Sequence, residues 1–421
     1  MTGPVSWKSF SAAPHRVFFF SGGLYSVLAV AMWTLQQYSL YAPLIFSTDS
    51  QAVTAAGPIL WSVPFPKGHG MLMLYPLLAY YIFGFLLVTF PRWLETEEIP
   101  RSRYLGLWGL LLAGSYTMLA GLLLGKTVVL LGLGLTLAFY LAGMLTLGGV
   151  YLRTSQPRSQ QTVMLTGMLM AQAGLAAGMV GVSTDSPGAY HAMLALGKYG
   201  FLLPLIFAVV YRMVPFFTSN VSPGLDLRRS RFGLQLFTGF SFLRLALELA
   251  VMPEYYWMAD LGLLAVLLWE MAVWRFWRAT YPPLLVVIYQ ALFWFVVSLT
   301  MYVFQSLALF AGWSSQPPFG LGPLHALVVG GFGTLLLGLS TRVTLGHSGR
   351  GLAASLPVSA MFQLWQLVPL SRVLPEIVGY WHPQLLMHGF WAGGGWVLVM
   401  GAWLPLVGHM LLRPRSDGRP G

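Results

Sequence analysis

Cysteine is absent from the chain, which excludes disulfides, iron–sulfur clusters, thiolate zinc sites and the Cys-x-x-Cys-His attachment of c-type haem. Any metal must rest on His, Met, Tyr or carboxylate side chains. Charge is nearly as scarce: 8% of the 421 residues are charged and only 12 are acidic, whereas 57% are hydrophobic. A chain of mean hydropathy +0.71 cannot cover a water-facing surface, so its solvent is a lipid bilayer. Crossing it as a helix takes roughly 20 apolar residues at 1.5 Å each. The apolar runs have that length, and not the alternating segments of about 10 residues that a β-barrel shows.

What is present are twelve such runs, near residues 18–38, 70–90, 104–124, 127–150, 162–182, 190–211, 232–252, 256–274, 283–308, 323–341, 352–371 and 384–411. The first is too long for a signal-peptide core and lacks a cleavage site, so it is expected to be retained. The fold class expected is all-α: one polytopic membrane domain over 1–421, a bundle of twelve helices in two six-helix halves divided near 221–231. Lys and Arg test this segmentation. Eighteen of the 23 fall on one side of the alternating loops, Lys67, Lys126 and Arg372 on the other, and Lys198 and Arg244 within spans. The basic side is cytoplasmic by the positive-inside rule, which places both termini there. The net charge of +11 therefore reads as membrane orientation and not as a nucleic-acid partner.

With this topology, His69, His191, His325, His382 and His388 lie toward the outer face. Four of them sit in the first turns of even-numbered helices: His69 on the second, His191 on the sixth, His325 on the tenth and His388 on the twelfth. One imidazole at an interface needs no function. Four at one depth suggest a shared site, because histidine within a bilayer is costly and usually faces the bundle interior. Two imidazoles on facing helices suit a haem iron, and three, or imidazoles with thioether from Met71, Met73 or Met387, suit copper. Lys198 lies two turns deeper than His191, and Arg244 with Glu248 forms an i,i+4 pair with Asp260 near it. A structural ion pair is the expected reading of Arg244 and Glu248; the functional one is that Lys198 or Arg244 neutralises haem propionates.

The opposite ends of three of these helices finish in basic motifs: Thr89-Phe-Pro-Arg92, Tyr211-Arg-Met-Val-Pro-Phe-Phe-Thr218 and Thr341-Arg-Val-Thr-Leu-Gly-His-Ser-Gly-Arg350. The run from His325 to Arg350 resembles the signature helix and loop of the NnrS family. Ala13-Pro-His-Arg-Val-Phe-Phe-Phe20 is similar to that family's first-helix start, and Arg212-Met-Val-Pro-Phe-Phe-Thr218 to its sixth-helix exit. The resemblance runs from residue 13 to about 350 and weakens beyond. It implies a twelve-helix bacterial inner-membrane protein that contains haem and copper and takes part in the nitric oxide response. The positions it carries over are His15, His69, His325 and His347, with Arg212, Arg342 and Arg350 beside them. His191, His388 and His409 rest on depth alone. One departure bears on copper: the family's Trp-His-x-His-Glu-Met stands here as Pro66-Lys-Gly-His-Gly-Met71, without the first His and the Glu.

His325 and His347 are about 33 Å apart if helical throughout, so they cannot hold one metal. An outer haem b site among His69, His191, His325 and His388 is expected, together with an inner metal or haem site at His347 with His15 as partner. Nitric oxide or a related small ligand, the bilayer and an electron donor are the expected partners. Two other readings compete: a twelve-helix secondary transporter without cofactor, and a divergent haem-copper oxidase-like nitric oxide reductase. The second needs adjacent histidines and a His-Pro-Glu-Val-Tyr element, to which His382-Pro-Gln is the nearest approach. The topology is checked with Ser50→Cys and Ser230→Cys variants: on intact spheroplasts an impermeant thiol reagent is expected to label the first and spare the second, and the reverse pattern refutes the orientation.

Overall fold

The computed structural model of the chain describes residues 4–46, 61–221, 227, 229–278, 281–379, 381–382, 389 and 391–418. Among these there is no strand. After a single turn, Trp7–Phe10, twelve long helical segments follow: α1 Pro14–Phe46, α2 Phe65–Trp93, α3 Arg101–Leu124, α4 Lys126–Leu152, α5 Ser159–Thr184, α6 Pro187–Val221, α7 Gly233–Leu249, α8 Pro253–Val273, α9 Pro283–Phe310, α10 Gly322–His347, α11 Leu356–Gly379 and α12 Trp391–Leu412. Each meets one of the twelve runs expected from sequence. Ten are long and apolar enough to cross a membrane; α7 has 17 residues, and α11 carries two interior prolines, Pro369 and Pro375, and two charged groups, Arg372 and Glu376. The chain is a multi-pass membrane protein.

Burial separates a centre from a rim. The apolar stretches of α2, α6 and α10 are 83%, 78% and 72% buried, against 39% for α3, α4 and α12. The rim helices show their other face as exposed Leu131, Leu145, Leu268, Phe293 and Leu398, which is the surface hydrocarbon requires. Successive helices pack as antiparallel neighbours, and α12 returns against α1, so the two ends of the chain meet.

Lipid offers no hydrophobic gain for bringing helices together, so close packing must supply it. The α3–α4 hairpin does this backbone to backbone. A Cβ on Gly132 would stand 2.6 Å from the Cα of Met118, closer than any real Cβ contact. Helix α10 ends later than its hydropathy implies. His347, expected in a turn beyond the helix, is its last residue. The stop comes two residues on, where Gly349 takes φ +74°, the left-handed conformation that terminates helices at low cost.

The sequence reading missed one feature. Helices α2, α6, α10 and α12 each contain a π-helical turn, at Met73–Leu77, Leu196–Leu202, Ala326–Gly333 and Leu404–Gly408. Pro76 and Pro405 sit in two of them, where the missing N–H interrupts the i→i−4 ladder and lets the turn widen. Such turns are frequent at functional sites in other proteins.

Gly132→Leu is expected to force α3 and α4 apart at a cost of about 1–3 kcal/mol. A thermal melt in detergent checks this, with Gly134→Leu as the control because nothing lies within 4 Å of a Cβ there. Equal melting temperatures for the two variants would refute the close contact.

Candidate functional site

The first turn of α1 and the last residue of α10 bring His15 and His347 together, with ring centroids 4.6 Å apart and planes tilted by 43°. His15 is buried and its Nδ1 has no hydrogen-bond partner. The neighbouring Arg16 is also buried, and its Nη1 donates to the carbonyls of Ser9 at 2.7 Å, Leu411 at 3.1 Å and Arg413 at 2.8 Å. It thereby ties α1 to the end of α12 and holds the backbone that carries His15. Arg16, Arg92 and Arg415 are all near enough to act electrostatically on both imidazoles.

The separation of the rings limits what they can hold. With metal–nitrogen bonds of about 2.0–2.1 Å, imidazoles on opposite sides of one ion have centroids about 6.4 Å apart, and imidazoles at right angles about 4.5 Å apart. The observed 4.6 Å therefore fits two side-by-side ligands of one small ion. It leaves no room for a porphyrin between the rings. Among the described residues no three His, Asp or Glu side chains converge on a point, so an ion here would also draw on water, a carbonyl or an incoming ligand.

At the other end of the bundle His69 lies in the first turns of α2, its ring stacked on Trp33 at 3.8 Å, and Trp33 in turn stacks on Phe65 at 4.0 Å. Its Nδ1 is buried without a partner. His325 is near enough to act on His69, and Arg372 acts on both. His325 Nδ1 lies 2.9 Å from the Leu321 carbonyl. A carbonyl only accepts, so Nδ1 carries the proton and Nε2 keeps the lone pair that a metal needs. Arg372, which the sequence offered only as a stray loop charge, pairs with Glu376 at 2.5 Å one turn along α11.

The other two outer histidines do not join this pair on the described residues. His191 Nε2 donates to the backbone carbonyl of Glu248 at 2.7 Å, which turns it toward α7. His388 lies outside the described residues, and His382 is exposed. His409 follows directly on the π-helical turn of α12.

Lys198 and Arg244 do not stand free for a propionate. Lys198 Nζ is 2.9 Å from Glu248 Oε1, Arg244 bonds the other Glu248 oxygen, and Arg244 Nε is 3.1 Å from Asp260 Oδ1. Two cations and two anions balance, and the Arg244 guanidinium lies 3.5 Å over the Tyr256 ring. The arginines at the opposite helix ends are held differently, on aromatic faces: Arg342 over Phe217 at 3.9 Å and Arg212 over Trp93 at 4.8 Å. Arg350 keeps a buried Nη1 without a partner.

Between the two histidine pairs α1, α2, α6 and α10 line an apolar cavity of about 70 Å³, with Phe19, Tyr81, Phe85, Ile206, Phe332 and Leu336 among its walls. Phe19 follows His15 by one turn, and Ser340, also in the lining, precedes His347 by two. The cavity is thus on the bundle-centre side of the His15–His347 pair.

Because Glu248 serves two buried cations, Glu248→Leu is expected to cost about 3–5 kcal/mol. Loss of the exposed Lys126–Asp185 pair in Lys126→Gln should cost less than about 1 kcal/mol. Melting both variants in detergent checks the contrast, and a Glu248 variant as stable as the Lys126 variant would refute the structural role.

Comparison with protein families gives one match, to the family model described as NnrS protein, over residues 9–415. No curated protein matches the chain. The match reaches well past residue 350, where the resemblance read from motifs weakens, so α11 and α12 belong to the shared architecture together with the histidine-bearing helices. The match covers nearly the whole sequence: this protein is a member of the NnrS family.

Proposed function

We propose that the chain is a bacterial inner-membrane protein of the nitric oxide response that binds nitric oxide at metal held by its histidines, with both termini cytoplasmic. Membership of the NnrS family supports the nitric oxide connection. The observation that carries the metal reading is the pairing of buried His15 with half-buried His347, 4.6 Å between ring centroids. A transporter without cofactor has no need of two adjacent imidazoles at one end of its bundle.

In this reading His15 and His347 hold copper, for which imidazole is a suitable ligand, and His69 with His325 holds haem b near the other face. Copper held by two imidazoles would keep coordination positions open to a small ligand, and a haem iron held by two imidazoles would supply one-electron chemistry. The remaining work belongs to the protein. Trp33 fixes the plane of His69 by stacking, and the Leu321 carbonyl fixes the tautomer of His325. Arg372, paired with Glu376, lies beside the outer pair, and Arg16, Arg92 and Arg415 lie beside the inner one. The apolar lining of the cavity suits a small molecule of low polarity such as nitric oxide. Turnover would require an electron donor, which is a further partner in this proposal.

The test is haem and copper content of the detergent-purified protein. His15→Ala and His347→Ala are each expected to lose copper and keep the Soret band, and His69→Ala and His325→Ala to lose haem absorbance. A colourless, copper-free wild type, or four variants with unchanged content, would overturn the reading.

A further inference from the structure

Three arginines converge at the end of the bundle opposite His69, none of them ion-paired among the described residues. Arg212 near the end of α6, and Arg229 and Arg231 in the segment before α7, line a polar cavity of about 420 Å³. Among the described residues none of the three makes an ion pair, and Arg212 and Arg229 stand close enough to repel one another. Glu95 also lines the cavity, but it accepts a hydrogen bond from Gln156 Nε2 at 2.8 Å. One carboxylate against three guanidiniums leaves the cavity positive.

The backbone between Arg229 and Arg231 is held in place. The Tyr211 hydroxyl donates to the Ser230 carbonyl, and the Ser230 hydroxyl donates to Glu270. Ser230 is thus pinned to α6 and α8, and Arg229 and Arg231 flank it. Arginines serving only as headgroup anchors need no such fixing, since flexible side chains at the interface do that work.

Two further donors face the same space. The cavity is lined by Ser159 and Gln160, the first residues of α5, a 26-residue helix that no side chain caps. Its first-turn N–H groups and positive dipole end favour an anion. Gln160 is 7% exposed and lines the cavity, and among the described residues its amide makes no hydrogen bond. A ligand oxygen in the cavity would give that amide a partner.

We propose that the cavity bounded by Arg212, Arg229, Arg231 and the first turn of α5 binds a phosphate group, as free phosphate or as the headgroup of an anionic phospholipid. Planar guanidinium forks pair with tetrahedral oxyanions in two-bond geometry, and an uncapped helix start adds backbone donors without adding charge. The site is separate from both histidine pairs, so its failure would leave the metal reading intact, and the reverse.

The test uses the full chain purified in nonionic detergent. Inorganic phosphate is titrated calorimetrically, and phosphatidylglycerol is compared with phosphatidylcholine by native mass spectrometry. Saturable binding of phosphate, of phosphatidylglycerol or of both is expected, with none for phosphatidylcholine. Binding of phosphate alone assigns the site to the free ion, and of phosphatidylglycerol alone to a lipid headgroup. The Arg229→Gln/Arg231→Gln double variant should weaken binding tenfold or more, and Gln160→Leu several-fold. Should the double variant fail size exclusion, Arg231→Gln alone serves, because its side chain is exposed. No binding of either probe, or affinity unchanged in the variants, would overturn the proposal.

Discussion

In hydrocarbon a backbone N–H or C=O without a partner, or a lone charge, has no water to turn to, and every other feature of this protein follows from that. It forces the chain into helices, confines most of its arginines to helix ends, and sends the few polar side chains that enter the spans into the bundle. Histidine is the polar residue this chain uses for the purpose. Neutral imidazole tolerates burial better than an ion does, and it still offers a lone pair. His15, His69, His325 and His347 accordingly sit in first or last turns on inward faces, where a helix end brings backbone groups and arginines within reach.

The same constraint explains the ion quartet of α6, α7 and α8. Lys198 or Arg244 alone would be prohibitive at that depth, but Glu248 and Asp260 make the group neutral, and three tyrosine rings lie near the Arg244 guanidinium. Its partners are internal, so it fixes the placement of α7 and α8 and leaves the chemistry elsewhere. His191 is drawn into this cluster through the Glu248 carbonyl. Nearness in depth to His69 and His325 does not make it their companion.

The π-helical turns lie in α2, α6, α10 and α12, the helices that carry His69, His191, His325 and His409. Widening a helix by one residue turns everything beyond it by about 100° relative to an ideal helix. In α10 the widened turn lies between His325 and His347, so it helps to decide which neighbour each imidazole meets. With the apolar cavity formed where α1, α2, α6 and α10 meet, these turns make the centre of the bundle its least regular part.

Hydropathy and charge are local properties, and the sequence alone determined what depends on them: the bilayer as solvent, the twelve helices, the exclusion of cysteine chemistry, and histidines at the ends of particular helices. Family motifs read from the residues also agree with the family match. Tertiary structure decided which of those histidines meet. It joined His15 to His347 across 332 residues of sequence, set Arg372 beside His69 and His325, and balanced Lys198 with Glu248. The reason is physical: the depth of a residue follows from its position along one helix, but its partner depends on which helices are neighbours and how each is rotated. Close glycine packing and π-helical turns set that rotation, and neither leaves a periodic trace in the sequence.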